Sequence, residues 1–93
     1  MKSFTFFFNQ IETSYELKPV TSQKSFYGKA EVYVLKDGTK ILRSYSTYVA
    51  GIDKDGNPFR SWWGWSATTG KHIKAFLGVN KKGFEALPFV EIH

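Results

Sequence analysis

All three tryptophans of the 93-residue chain, Trp62, Trp63 and Trp65, lie in one short segment that Arg60 opens. Tryptophan and arginine often dominate the binding energy of protein interfaces, and aromatic rings also stack on the bases of single-stranded nucleic acids. If this segment is a β-strand, Trp63 and Trp65 point to one side and Trp62 to the other. A core needs only one side, so the second must meet a helix, another subunit or a ligand. The segment therefore predicts a binding surface.

The net charge of +5 is concentrated in the same part of the chain. Residues 56–84 contain no Asp or Glu, and their five basic residues are Arg60, Lys71, Lys74, Lys81 and Lys82. A basic, aromatic-rich surface suits phosphate backbones and stacked bases, and it equally suits the acidic surface of a protein partner. The alternative is a solvated helix face that is rich in lysine.

Two segments resemble ligand-binding loops but lack required residues. Residues 64–71 have five residues between their glycines, where a nucleotide-binding loop needs four, and His72 follows where that loop needs Ser or Thr. Residues 53–64 begin like a calcium loop, but Pro58 and Gly64 replace its glycine and its bidentate glutamate. We predict helix capping in the first segment, with a single bound phosphate or carboxylate as the alternative, and a turn in the second.

Catalytic residues are not indicated. His72 would need a carboxylate to orient it as a general base, and its neighbours in the sequence supply none, so we expect a helix-surface or capping histidine. The chain has no cysteine, which excludes thiolate nucleophiles, disulfides and zinc ribbons. We predict a protein that is not an enzyme and has no metal and no cofactor.

The elements that would carry these residues form an antiparallel sheet. Residues 30–35 alternate, and Asp37 and Gly38 then turn the chain into a long strand over residues 39–52, which we expect to bend or bulge near Ser44 or Gly51. Residues 53–57 turn it back into a strand that contains the tryptophans. Earlier in the chain, we expect a first strand with Phe4, Phe6 and Phe8 facing inward, and a short strand before Pro19.

A helix follows the tryptophans, because Ile73, Phe76 and Leu77 fall at helical spacing. We place it from about residue 68 to 79 and expect residues 80–83 to end it. A closing edge strand then follows, with Pro88 at its entrance. The prediction is a single domain over residues 1–93 with an α+β fold, an antiparallel meander of about four to five strands and one helix packed on a face.

The N-terminal apolar run is too short for a signal peptide or a membrane span. We therefore expect a complete, soluble, cytoplasmic protein with no membrane partner.

Residues 44–50, 53–56, 60–69 and 72–76 resemble small uncharacterised proteins encoded by bacteriophages and mobile elements, chiefly of Gram-positive bacteria. The resemblance covers the central third to half of the chain, and residues 1–25 lie outside it. It implies the cytoplasm of a bacterial host, and it implies an inhibitor of host defence machinery, including CRISPR nucleases, rather than any catalytic residues.

Two functions are considered at this point, and the sequence favours the first, because its basic residues are fewer than a dedicated nucleic-acid-binding domain usually has. The first is an inhibitor of anti-CRISPR type that docks on a host protein effector or nucleoprotein complex by protein contacts. The second is a single-stranded nucleic-acid-binding domain in which aromatic rings stack on bases. A homodimer is a third possibility, through an exposed strand edge and an outward Trp62. The candidate binding residues are Arg60, Trp62, Tyr48, Lys71, Lys74, Lys81 and Lys82.

Overall fold

A computed structural model of the protein describes residues 2–4, 10–19, 26 and 28–92, with only the backbone described for residues 2–4. The strands and helices, in chain order, are β1 (Lys2–Phe4), β2 (Ile11–Glu16), β3 (Ala30–Leu35), β4 (Lys40–Ser44), β5 (Thr47–Ile52), β6 (Pro58–Arg60), α1 (Ala67–Leu77), α2 (Lys81–Glu85) and β7 (Val90–Ile92).

Five of the strands form an antiparallel meander in the order β2-β3-β4-β5-β6. The predicted α+β fold is confirmed, as is the strand before Pro19, which is β2. Both predicted turns are present. The Thr39 N–H donates to the Asp37 carboxylate at 2.8 Å, and one oxygen of Asp53 accepts from the N–H groups of Asp55 and Asn57 at 2.9 Å each.

The single long strand predicted over residues 39–52 is wrong. Tyr45 and Ser46 form a tight turn that separates β4 from β5, and the two strands pair with each other. The turn is possible because Tyr45 adopts a positive φ of 55°, which its residue type does not indicate. The expected bulge lies between Leu42 and Arg43, close to the predicted position at Ser44.

The main core lies between the meander and the two helices. Leu42 pairs with Ala50 across β4 and β5, so both side chains point to the helix side, where they meet Ile73 of α1 and Phe84 of α2. Arg60 pairs with Ala50 and therefore points to the same side. A smaller cluster on the opposite face centres on Leu35 and Ile41.

The segment after α1 differs from its prediction. Gly78 ends α1 with a φ of 74°, and the side chain of Asn80 then accepts from the N–H of Gly83 at 2.9 Å and starts a second helix, α2. Residues 80–83 therefore begin a helix as well as follow one. The strand β7 lies after Pro88 as predicted and pairs in parallel with β1. The predictions for the side chains of Phe4, Phe6 and Phe8 lie outside the described residues.

Candidate functional site

The exposed tryptophan is Trp63, and the prediction that the tryptophans continue a strand is wrong. Strand β6 ends at Arg60, so the alternation of sides does not extend to residues 62–65. Trp62 and Trp65 are partly buried and pack against the main core, whereas Trp63 is 59% exposed. The outward position expected for Trp62 therefore belongs to Trp63.

Two glycines make room for the packed tryptophans. A Cβ atom at Gly64 would lie 2.7 Å from the Trp62 ring, and one at Gly70 would lie 2.6 Å from the Trp65 ring. Real Cβ contacts are longer than this, so both indoles occupy space that any other residue would block. Because Trp62 and Trp65 are anchored in this way on either side of it, the short segment turns Trp63 outward.

Trp63 is held by Arg60 and Phe89, and we refer to these three residues as the Trp63 surface. The Trp63 and Phe89 rings are stacked, with centroids 4.0 Å apart and an interplanar angle of 5°. The guanidinium carbon of Arg60 lies over the Trp63 ring, 4.4 Å from the ring centroid. Arg60 and Phe89 are distant in sequence, but a parallel bridge joins them and the Arg60 N–H donates to the Pro88 carbonyl at 2.9 Å.

This geometry leaves a large aromatic surface open to solvent. The Phe89 ring is stacked on Trp63 and the Arg60 guanidinium lies over its ring, yet the Trp63 side chain remains 59% exposed. Stacking also restricts the indole before any ligand arrives, which lowers the entropy lost on binding. Within the described part of the chain, Arg60 forms no ion pair, so its charge remains available to an anion.

The cations of residues 56–84 lie on the same side of the sheet as Arg60. Both helices pack on that side, and their lysines are exposed: Lys71, Lys74, Lys81 and Lys82. Most acids lie elsewhere. Glu31 pairs with Arg43 at 3.6 Å on the opposite face, and Asp37, Asp53 and Asp55 occupy the β3–β4 and β5–β6 turns. Glu12 and Glu16 lie in β2, at the opposite edge of the meander from β6. The exceptions are Glu85 in α2 and Glu91 in β7, which are both exposed.

Tyr48, another predicted binding residue, does not join the Trp63 surface. It pairs with Arg43 across β4 and β5 and so points to the face opposite Arg60. There it is half-buried, its ring is 6.4 Å from that of Tyr33, and it packs against the smaller cluster. The sheet alternation therefore separates two residues that the sequence interpretation placed in one interface.

The surface or capping position predicted for His72 is also wrong. His72 is 1% exposed, and its Nδ1 lies 2.7 Å from the Ser44 hydroxyl, which in turn lies 3.0 Å from the Thr69 hydroxyl. We refer to Ser44, Thr69 and His72 as the His72 cluster. Burial lowers the pKa of His72 because desolvation disfavours the imidazolium. The contact between Ser44 and the helix could not be inferred without the β4–β5 turn.

Serine and histidine are the residue types of a nucleophile and its base, but this pair is poorly placed for catalysis. Ser44 is 2% exposed, and the ring of Phe26 packs edge-on against His72 with centroids 4.4 Å apart. Among the residues whose side chains are described, no carboxylate hydrogen-bonds to the imidazole. The same residues contain no group of three or more His, Cys, Asp or Glu side chains that could hold a metal ion. The geometry favours a structural role.

A second exposed aromatic residue, Tyr45, lies at the β4–β5 turn. It is 50% exposed, its ring centroid is 5.9 Å from that of His72, and the Lys29 ammonium lies 6.0 Å from the Tyr45 ring. The Tyr45 N–H donates to the Lys29 carbonyl at 2.7 Å. The sequence interpretation did not single out Tyr45 as a binding residue, because it placed this residue within a continuous strand.

A model of a family of unknown function (DUF8033) matches residues 15–87. The chain belongs to this family. The matched residues include Arg60, Trp63, the His72 cluster and both helices, whereas Phe89 lies beyond them. No curated protein and no solved structure matches the chain. No helix in the described residues has the length and apolarity that a membrane crossing requires.

Proposed function

We propose that the protein is a non-enzymatic binding protein for single-stranded nucleic acid, with the Trp63 surface as its base-stacking site. The observation that carries this proposal is the exposed indole of Trp63, stacked on Phe89 and next to Arg60. Every base has a π-face, so an exposed indole ring binds single strands with little sequence preference. Such a contact contributes about 1–3 kcal/mol per base.

The distribution of charge supports this proposal. The sequence favoured the inhibitor because its basic residues did not define a stripe. In the fold, Arg60 and the four exposed helix lysines share one side of the sheet, and we expect them to contact the phosphates of a strand bound there. Glu85 and Glu91 reduce the positive potential locally, so we expect moderate rather than tight binding.

Fluorescence anisotropy with a fluorescein-labelled oligothymidine of about 12 nucleotides tests the proposal, since binding domains for single strands cover sites of this size. We expect Trp63→Ala to weaken binding about tenfold or more. The matched control is Tyr15→Ala, which removes a 44% exposed aromatic ring from the edge strand β2. Equal affinities for the wild type and Trp63→Ala would contradict the proposal.

Salt dependence provides a second readout in the same assay. Each phosphate contact to a single strand contributes about −0.7 to the slope of log K against log salt concentration. Contacts from Arg60 and two or three lysines predict a slope of about −2 to −3. A duplex of the same length should bind more weakly, because its bases are not free to stack. A flat salt response would count against phosphate contacts.

Protein docking is the second candidate, since Trp63 and Arg60 are also the residue types that dominate protein interfaces. In this form the protein would inhibit a host defence nuclease in the cytoplasm of a bacterial host, as the resemblance implies. Affinity capture from a bacterial lysate, with and without nuclease treatment, separates the two candidates. A protein that is recovered after nuclease treatment by the wild type but not by Trp63→Ala would favour docking. Light scattering, which measures the mass in solution, tests the third possibility, a homodimer.

A further inference from the structure

The backbone of Tyr45 is strained in a way that its residue type does not favour. Its φ of 55° lies in the left-handed region, which glycine and asparagine adopt readily and a bulky aromatic residue rarely does. A two-residue turn between paired strands usually contains such residues. A tyrosine that is 50% exposed at this position needs a reason other than the turn itself.

Covering the His72 cluster does not supply a sufficient reason. His72 is already in close contact with Phe26, at 4.4 Å between centroids, and it is hydrogen-bonded to Ser44. The Tyr45 ring is more distant from His72, at 5.9 Å and tilted by 38°, and half of its side chain remains in solvent. A ring whose role was to seal the cluster would itself be largely buried.

The environment of Tyr45 resembles that of the Trp63 surface. Each has an aromatic side chain at least half exposed, and each has a cation near the ring: Arg60 at Trp63 and Lys29 at Tyr45. Both lie on the helix side of the sheet, because Tyr45 contacts His72 and Trp63 contacts Arg60. The two environments are close along the sheet. Strand β5 begins at Thr47, directly after the turn that contains Tyr45, and Ala50, which pairs with Arg60, lies about 10 Å further along this strand.

We infer that Tyr45 is a second stacking contact for single-stranded nucleic acid, with Lys29 next to it for a phosphate. This inference rests on the proposed function of the Trp63 surface and extends it. The exposed lysines of α1 lie on the same side of the sheet as both rings. One strand of several nucleotides would then contact Trp63 and Tyr45 together, with its backbone following the helix.

Two substitutions of Tyr45 separate binding from structure. Tyr45→Asn removes the ring but keeps a residue that tolerates positive φ, and Tyr45→Phe keeps the ring. We expect Tyr45→Asn to have a urea midpoint equal to or above that of the wild type, because strain is relieved. Its affinity for the 12-nucleotide oligothymidine should fall about three- to tenfold, while Tyr45→Phe should bind nearly as well as the wild type.

Each outcome of this experiment decides the inference. A clearly lower urea midpoint for Tyr45→Asn would show that the ring is needed to cover the His72 cluster, and it would overturn the inference. Unchanged affinity of Tyr45→Asn, with Trp63→Ala impaired, would overturn the inference alone and leave the proposed function intact. If the wild type does not bind oligothymidine, the proposed function fails and this inference fails with it.

Discussion

The Trp63 surface and the His72 cluster both lie on the helix side of the sheet, and they differ in access to water. At the Trp63 surface, a charged guanidinium lies beside an indole that is 59% exposed. In the His72 cluster, an imidazole that is 1% exposed is bonded to a buried hydroxyl. A buried polar group is largely committed to its internal partner, whereas an exposed ring can still gain a contact.

The comparison separates residues that stabilise the fold from residues available for binding. Losing a member of the His72 cluster removes a hydrogen bond between buried groups, which is costly. Losing Trp63 removes a stack and a cation contact at the surface, where water replaces them. We therefore expect substitutions in the His72 cluster to lower stability, and substitution of Trp63 to weaken binding with a smaller loss of stability.

The largest expected effect is that of His72→Ala on stability. The change leaves a cavity between α1 and β4 and removes one of the two hydrogen-bond partners of Ser44, so we expect the free energy of unfolding to fall by about 3 kcal/mol. Urea denaturation measures this effect. Lys74→Ala, an exposed position on the same helix, is the control and should change it by less than about 0.5 kcal/mol. A similar, small loss for both variants would contradict a structural His72 cluster.

The pH dependence of stability should be the next largest effect. The folded state holds the pKa of His72 below its ordinary value of 6.5. Above that pH the imidazole is neutral in both states and stability is at its full value. As the pH falls from 6.5 toward the folded pKa, the unfolded state binds the proton more readily. Stability should therefore fall, by at most about 1.4 kcal/mol per pH unit.

His72→Gln provides the control for this pH effect, because it removes the titrating group and keeps a polar side chain. His93 is present in both proteins, so its contribution cancels. The pKa of Asp37 is also lowered, by its hydrogen bond from Thr39, but that group titrates at more acidic pH. Identical pH profiles between pH 5 and 7 for the wild type and His72→Gln would exclude the assigned role of His72.

The smallest expected effect is that of Trp63→Ala on stability. The change removes the stack on Phe89 and the contact with Arg60, which together contribute about 1–2 kcal/mol at most. Urea denaturation should place this loss below that of His72→Ala. A loss as large as that of His72→Ala would mean that Trp63 is a structural residue, and the contrast between the two regions would disappear.

Local signals allowed much of the sheet to be predicted. Asp37 with Gly38, and residues 53–57, contain the side chains that such turns require, so both turns were placed correctly. The β4–β5 turn was missed because Tyr45 carries no turn signal. Asn80 was assigned to the end of one helix although it begins the next, since asparagine is common at both positions.

The candidate site was harder to predict because it depends on contacts between distant residues. Arg60 lies over an exposed tryptophan, but that tryptophan is Trp63. The choice of Trp62 assumed a strand through the tryptophans, whereas β6 ends at Arg60. Phe89, which stacks on Trp63, comes from the segment directly before β7, and a bridge to Arg60 brings it there. The burial of His72 depends on Ser44, which only the fold brings to α1.

Nitrogen-15 NMR of the three indole N–H groups tests the central claim most directly. Each tryptophan gives one such signal, and Trp63→Ala identifies that of Trp63 by its absence. Titration with the oligothymidine should shift the Trp63 signal strongly and leave those of the packed Trp62 and Trp65 nearly unchanged. An unmoved Trp63 signal at an oligonucleotide concentration that saturates binding would show that the nucleic acid binds elsewhere and would contradict the assigned site.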